Sequence, residues 1–442
     1  MAEEVEDLER QGLTPDELRD AWPVLDPLER NEGFHLLPRD EAEDFFFSLP
    51  TDGQASLLES MPARERRTWL RLMPPDDVAD VLPEFPAEQR PELLAQLDDT
   101  TRREVNALLA YAEDEAGGLM NPRFARVRPE MTVDEAIRYV RRQAKDHLET
   151  IYYVYVLDGE QRLLGVVSFR ELLLAPGEKC LREVMHEDVI TVPEEMDQEE
   201  VARVIAQHDI LAVPVVDAAR RVKGIVTFDD VVDVVETEAT EDIQKIGGTA
   251  ALDAPYLETS VLEMIKKRAG WLMVLLVGGM FTTSALKVYE DQFAKVLTLL
   301  LPMILSSGGN SGSQATTLVV RAMALDQVRL RDWWRIVRRE LASGLALGVI
   351  LAGLGILRIW LGHWLFDDFT DHYVYVGYVV GISLIGVVTL GTLVGALLPL
   401  VLRALRLDPA SASAPVVATM LDVSGVLLYF NVALWLLDGR IL

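Results

Sequence analysis

A lone carboxylate lies inside an apolar run near the end of this chain: Asp422, within the stretch from Pro415 to Leu437. The run is long enough to cross a bilayer, which takes roughly 20 residues. An acid at that depth costs at least about 2.5 kcal/mol on insertion, and it is kept where it meets a partner or a water-filled path. Asp422 therefore marks a cation route. The competing reading is a structural acid paired with a base. The only basic residue inside another span that offers itself is Arg358, near a helix end.

A second polar cluster interrupts another apolar run: Pro302-Met-Ile-Leu-Ser-Ser-Gly-Gly-Asn310-Ser-Gly312-Ser-Gln314-Ala-Thr-Thr317. Polar residues and glycines at this density cannot face lipid, because unsatisfied backbone groups there cost several kcal/mol each. The sequence predicts a broken helix lining a cavity, with exposed carbonyls able to coordinate a cation or its water shell. Close helix packing through small residues is the alternative. A third cluster follows Phe228. At 100° per residue, Asp230, Asp233, Glu238 and Glu241 fall within an arc of about 140° on one helix. Like charges on one face destabilise an isolated helix, and a divalent ion with oxygen ligands would relieve them. A plain solvated acidic face is the other reading.

These residues need a membrane part and a soluble part to position them, and the charge is divided accordingly. Residues 1–260 carry 27 Lys+Arg and 58 Asp+Glu, a net of −31, while residues 261–442 carry 15 and 12, a net of +3. A front half this acidic is a poor partner for nucleic acid and attracts cations. Cys180 is the only cysteine, so no intrachain disulfide and no thiolate metal site is expected, which fits a reducing compartment. The acidic N-terminus does not read as a signal peptide. No Walker A, nucleophile elbow or HExxH motif is present, so an enzyme is not expected.

Five apolar spans are expected, at about 270–289, 294–320, 334–361, 373–403 and 415–437. Arg321, Arg329, Arg331, Arg335, Arg338 and Arg339 join the second and third, and Arg403 and Arg406 join the last two. The positive-inside rule then puts the N-terminus in the cytoplasm and the C-terminus outside. A basic stretch, Glu263 to Arg268, connects the soluble part to the first span.

The soluble part carries two repeat systems. Leu49, Met61, Met73, Phe85, Leu97 and Leu109 are spaced by twelve, and Pro50, Pro62, Pro74 and Pro86 follow four of them. Proline suits a first helical turn, so each unit reads as a short helix in a stacked array. Further on, Gly-Leu-Met120 with Glu-Met131-Thr-Val-Asp-Glu135 matches Glu-Val-Met185 with Glu-Met196-Asp-Gln-Glu-Glu200. Gly165-Val-Val-Ser168-Phe-Arg-Glu171 likewise matches Gly224-Ile-Val-Thr227-Phe-Asp-Asp230. This duplication resembles a pair of CBS domains, regulatory modules in many of which the motif's acid binds adenosine ribose. The resemblance puts forward Glu171, Thr227 and Asp230 as a nucleotide site, with ATP as a regulator.

Taken together, Gly309-Asn310-Ser-Gly312-Ser-Gln314, Asp408-Pro409-Ala410, Pro415 and Asp422 resemble the signature of the MgtE family of magnesium channels and transporters. So does the order of the parts, including Glu113-Asp-Glu-Ala-Gly-Gly-Leu-Met120. The resemblance implies a multidomain fold: an extension at 1–30, an acidic helical-repeat N domain at 31–118, an α/β tandem CBS pair at 119–243, a connecting (plug) helix at 244–268 and an all-α five-helix transmembrane domain at 269–442. It also implies a homodimer in the cell (inner) membrane. Mg2+ would be both the permeant and the regulatory ion, and Co2+, Mn2+ and Ni2+ would be further passengers. Asp422 would hold a hydrated ion, helped by groups near Gly309, Asn310 and Gly312 and by Ala414, which stands where some relatives have a polar residue. The matching regulatory acids are Asp197, Glu199, Asp209, Asp230, Asp233, Glu238, Glu241 and Asp242, with Asp76, Asp77 or Asp80 in the N domain. Passive channel and ion-coupled transporter remain open alternatives on sequence.

Overall fold

A computed structural model describes residues 13–144, 148–252, 256, 259–289, 295–325, 327–366 and 373–437. Residues 1–12 of the expected extension and positions 253–255, 257 and 258 of the connecting segment lie outside them. The chain divides into two compact units, 1–238 and 239–442.

The first unit opens with eight short helices: α1 (Pro15–Ala21), α2 (Pro27–Leu36), α3 (Arg39–Phe47), α4 (Thr51–Ser60), α5 (Ala63–Leu72), α6 (Pro75–Val81), α7 (Arg90–Gln96) and α8 (Asp99–Leu108). Helical structure thus begins inside the stretch set apart as an extension, and Leu18 and Trp22 share the core with Phe34, Phe45 and Phe46. The period of twelve is a core period. Leu49, Met61, Met73, Phe85 and Leu97 are buried, while Leu109, at the end of the array, is exposed. Pro50, Pro62 and Pro74 sit at the N-cap, one residue earlier than a first-turn proline. Each holds the extended backbone that separates one helix from the next.

After α9 (Ala116–Leu119) come two sheets of the same design. Strands β1 (Arg126–Val127), β2 (Tyr153–Leu157) and β3 (Leu163–Ser168) form one, and β4 (Val192–Pro193), β5 (Ala212–Val216) and β6 (Val222–Thr227) form the other. In each the first pair is parallel and the second antiparallel, and the bulges at Val156/Leu157 and Val215/Val216 are equivalent. Helices α10 (Val133–Gln143), α11 (Phe169–Leu174), α12 (Gln198–His208) and α13 (Phe228–Ile246) accompany them. The two copies close on each other reciprocally. The backbones of Asn121 and Ile225 exchange hydrogen bonds of 2.8 and 2.9 Å, and those of His186 and Val166 exchange two of 2.9 Å. The segment leading into each copy therefore pairs with the last strand of the other. This explains the motif glycines. A Cβ on Gly224 would lie 2.8 Å from the Asn121 carbonyl oxygen, and one on Gly165 would lie 2.8 Å from that of His186. The second copy shares a core with the N-terminal helices through Val192, Val201, Val213 and Val226, whereas the first copy has its own.

The second unit holds the end of α13 and five long helices: α14 (Val261–Tyr289), α15 (Lys295–Ala324), α16 (Trp333–Phe366), α17 (Tyr373–Ala404) and α18 (Ala414–Leu437). Among the described residues four helical segments are long and apolar enough to cross a membrane: 261–289, 330–365, 373–404 and 414–437. The expected second span, α15, is diluted by its serines, glycines and Asn310 and does not reach that hydropathy. Two expectations change. The connecting segment 244–268 is not one helix, because α13 stops at Ile246, Gly248 takes a left-handed φ of 77°, and α14 begins at Val261. Nor is the second span broken, since α15 runs continuously over 30 residues with Pro302 inside it.

Packing explains the continuity of α15. A Cβ on Gly391 of α17 would come within 2.5 Å of the Gly308 carbonyl oxygen, and one on Gly395 would strike that of Gly312. Thr316, fully buried, donates to the Gly395 carbonyl at 2.9 Å. Glycines that would weaken a solitary helix here let two backbones touch. We predict that Gly224→Val, which forces a side chain into the Asn121 backbone, lowers the stability of the first unit by about 2 kcal/mol. A reduced melting temperature of the purified chain is the measurement, and Gly159→Val, in open space, is the control.

Candidate ion path and acidic surface

The candidate path lies along α15 and α18. Ala414, Ala418 and Asp422 are four residues apart and share one face of α18. Asp422 is half-buried and, among the described residues, has no hydrogen bond or ion pair. Arg358 is exposed on α16 and forms no ion pair with it, so the paired-acid reading finds no support. On α15, Ser306, Asn310, Gln314 and Thr317 form an exposed polar stripe, with Asn310 Nδ2 donating to Ser306 Oγ at 3.4 Å. Gly309 lies where an added Cβ would be 3.5 Å from Ala418 Cβ, and Ser313 Oγ donates to the Ala414 carbonyl at 3.4 Å. These contacts set the stripe beside the Asp422 helix. Gly312 has another role: its Cβ would meet Leu421 at 2.6 Å and Val417 at 2.8 Å, so it is a packing position. Because α15 is intact, its carbonyls are engaged in the helix ladder. The polar groups this face offers are therefore amide and hydroxyl side chains rather than the free carbonyls expected of a broken helix.

In the first unit, carboxylates from three elements meet. Asp76, Asp77 and Asp80 project from α6, and Asp229, Asp230 and Asp233 from the start of α13. Glu149, which sequence reasoning missed, comes from the loop before β2. Buried Asn121 joins two of these elements, donating from Nδ2 to Asp76 Oδ1 at 2.9 Å and to Glu149 Oε2 at 2.6 Å, while its Oδ1 accepts from the Arg123 backbone at 2.8 Å. Arg123 in turn bonds Glu104 at 2.9 Å and Thr101 at 2.6 Å on α8. Burial and neighbouring acids push Asp77 up to about 6 and Glu149 up to about 7, and they raise Asp76 well above the carboxylate range. Asp230 rises to about 6 through burial, against the pull of its Thr227 hydrogen bond. Asp80 rises to about 7 through burial and through Asp77, Asp230 and Glu113. Its side chain still reaches solvent, so water offsets part of that rise. Asp233 is raised chiefly by burial, then by Glu236 and Asp229. Among the described residues, no three acids converge closely enough to cage a bare ion. The acids are close enough to raise one another's proton affinity.

The remaining expected ligands are dispersed. Asp197 is the N-cap of α12, accepting from Glu199 N at 2.9 Å, and Asp209 caps its other end at a φ of 51°. At 1.5 Å per residue these two caps stand about 18 Å apart and cannot share an ion. Glu238 accepts from Gln198 Nε2 at 2.5 Å, placing it and Asp197 at the same end of α12. Glu241 is paired with Lys245, and Asp242 is half-buried. The nucleotide candidates serve as helix caps. Ser168 and Glu171 form a capping box on α11, and Glu171 Oε1 also meets His186 Nε2 at 2.7 Å. Thr227 Oγ1 donates to Asp230 Oδ2 at 2.6 Å. The Ser/Thr-x-x-acid pattern is thus first a capping signature.

A duplicated α/β pair, an acidic helical array and a bundle of long apolar helices with an acid unpaired among the described residues are the parts of a membrane transporter of cations. Family patterns agree: "MgtE intracellular N domain" matches residues 13–114, "CBS domain" matches 116–178 and 181–237, and "Divalent cation transporter" matches 301–432. The chain is 43% identical over 435 residues to the magnesium transporter MgtE of Thermus thermophilus, covering 97% of this chain and 94% of that one. It is 31% identical over 398 residues to that of Bacillus subtilis, covering 89% and 85%. The chain belongs to the MgtE family, whose members matched here are named as transporters and not as enzymes. A crystal structure of the cytosolic domain of the Mg2+ channel MgtE in complex with ATP is 42% identical, covers 52% of this chain and 92% of its own, and superposes with a TM-score of 0.47.

The raised carboxylates bind more protons folded than unfolded. Their repulsion costs little below about pH 4, where both states are protonated, and the cost grows as pH rises through 6 to 7. Without divalent ions, the melting temperature of the first unit should therefore fall between pH 5 and pH 8. Asp77→Asn with Asp230→Asn should flatten that slope, and magnesium should recover the loss at pH 8.

Proposed function

We propose that this chain is a magnesium channel or transporter that takes Mg2+ across the cell membrane as a homodimer, with the acidic N-terminal and CBS parts in the cytoplasm and the C-terminus outside. The supporting observation is Asp422, half-buried on an apolar helix without a counter-charge and beside the polar stripe of α15. A polar stripe exposed on a long helix needs a second chain or water against it, which favours a path at an axis between two copies. A hydrated ion suits one carboxylate per subunit with amide and hydroxyl neighbours. Oxygen groups of this kind discriminate weakly, so Co2+, Mn2+ and Ni2+ are further passengers.

Cytosolic magnesium closes the path in this reading. The crowded acids Asp76, Asp77, Asp80, Asp230 and Asp233 repel when ionised, and a divalent ion stabilises the arrangement that brings them together. A ligand shifts such an equilibrium only through its differential affinity for the two states, and the difference arises here from carboxylates on separate elements. Asp197, Glu199, Asp209, Glu238, Glu241 and Asp242 supply further, weaker positions. ATP is a secondary regulator at the CBS pair, where Thr227, Asp230 and Glu171 would face the ribose.

Asp422→Ala should abolish magnesium uptake into proteoliposomes by a dimer that remains folded, and Asp422→Asn should lose most of it. Normal flux through either folded variant would end the assignment. Replacing Asp230, Asp233, Glu238 and Glu241 together by Asn or Gln should give a channel that stays open as cytosolic magnesium rises. Closure at the wild-type concentration would reduce the acidic face to a solvated surface.

A further inference from the structure

The arginine-rich end of α16 is a charged feature of the membrane unit that the ion path does not use. α16 packs along α17 through Gly344, Gly348 and Gly355, where an added Cβ would lie 2.4 Å from Thr392 Oγ1, 2.8 Å from Ile385 Cα and 2.7 Å from Leu384 Cδ1. The Asp422 helix is instead packed by α14, α15 and α17, which leaves α16 at the edge of the bundle. At 100° per residue, Trp334, Arg335, Arg338, Leu341, Leu345 and Val349 fall within an arc of about 120° on its outward face, and all six are exposed. Arg335 stands 3.5 Å from Asp332, while Arg338 has no hydrogen bond or ion pair among the described residues. Trp333 and Trp334 meet edge to face at 5.5 Å, and Trp360 and Trp364 stack at 6.5 Å near the other end of the helix. At 1.5 Å per residue, Trp334 and Trp360 are about 39 Å apart, close to the roughly 40 Å between the polar boundaries of a bilayer. Tryptophans settle at both boundaries, so the helix is fixed in depth with its arginines at headgroup level.

We infer that this face binds an anionic phospholipid: the Arg338 guanidinium, with Arg335 beside it, takes the headgroup phosphodiester, Trp334 lies against the glycerol, and an acyl chain runs down Leu341, Leu345 and Val349. Arg338 sits one turn deeper than Trp334, between the indole and the apolar stripe, where a long basic side chain extends toward the interface to find its counter-charge. Its fork of donors matches two phosphate oxygens. A zwitterionic headgroup brings the same phosphate together with an ammonium that two arginines repel, so a headgroup of net negative charge is preferred. The apolar stripe below the arginines suits a lipid and gives nothing to free phosphate. A second copy of this chain is a poor occupant, because a two-fold contact through this face would set the stripe, arginines included, against itself. The inference needs the chain to span a membrane and is independent of the ion path and of its closure.

The test is native mass spectrometry of the full chain in detergent, titrated with dioleoyl phosphatidylglycerol or with dioleoyl phosphatidylcholine. The wild type should bind the anionic lipid about tenfold more tightly than the zwitterionic one. Arg338→Gln should cut that ratio by about fivefold, the scale of one arginine at an anionic surface, and Arg335→Gln with Arg338→Gln should bring the two lipids to equal affinity. Arg268→Gln, which removes an exposed base at the start of α14, should leave the ratio unchanged, and millimolar inorganic phosphate should not displace the lipid. Equal affinity for the two lipids in the wild type, or an unchanged ratio in a folded double variant, overturns the site. A loss in Arg268→Gln as large as that in Arg338→Gln overturns it too, since the preference then belongs to net charge alone. Displacement by inorganic phosphate replaces the lipid by a free anion, and a changed oligomer size with an unchanged lipid ratio gives the face to a second copy; either result overturns the inference. If the double variant does not fold, Arg338→Gln alone decides by the same ratio. The spectrum reads this ratio whether or not the chain conducts magnesium, so failure here and failure of the proposed function are separate results.

Discussion

Repulsion between carboxylates that cannot escape one another is the constraint around which the first unit is organised. Asp76, Asp77, Asp80, Glu149 and Asp230 come from separate stretches of chain, and among the described residues none forms an ion pair with lysine or arginine. Burying a charge without a partner is costly, and packing of the apolar core of the N-terminal helices on the second CBS copy enforces it. Asn121 is a neutral mediator between two of the elements, its amide donating to both Asp76 and Glu149. The fold thus concentrates like charge where the helical array packs on the second CBS copy, and protonation relieves it.

The second unit handles charge in the opposite way. Several of its polar groups have a defined partner: Thr316 on a glycine carbonyl, Ser313 on Ala414, Lys245 between two acids. Asp422 differs: among the described residues it has no hydrogen bond or ion pair, on a helix otherwise packed through Val417, Leu421 and Val426. A carboxylate within a spanning segment is costly to keep, and that is why the proposed path is built on Asp422.

Much of this was legible from residue spacing. The period of twelve gave the buried faces of the N-terminal array, because each short helix contributes the same core position just before its proline. The duplication gave two equivalent sheets down to the position of the bulge. Asp422 stood out because an acid in an apolar run has few explanations. What spacing could not show was how glycines are used. The run from Gly308 to Gly312 looks like a helix breaker in isolation, and only the facing Gly391 and Gly395, some 80 residues on, turn it into a close-packed seam. Glu149 and Asn121 were unreadable for the same reason, since their role depends on neighbours remote in sequence.

The reciprocal closure of the two CBS copies carries a consequence for ancestry and assembly. Each copy leaves the last strand of its sheet to be covered by the segment that introduces the other, at Asn121–Ile225 and His186–Val166. A gene carrying one copy would encode a sheet with an open edge and a loose strand segment that fits that edge only on another molecule. Such a product would be a two-chain assembly by necessity, with the pairing now made within one chain made between two. Duplication and fusion would then convert a concentration-dependent association into an internal one, at the effective concentrations that tethering gives. It would also free the two halves to diverge, one keeping a separate core while the other merged with the helical array.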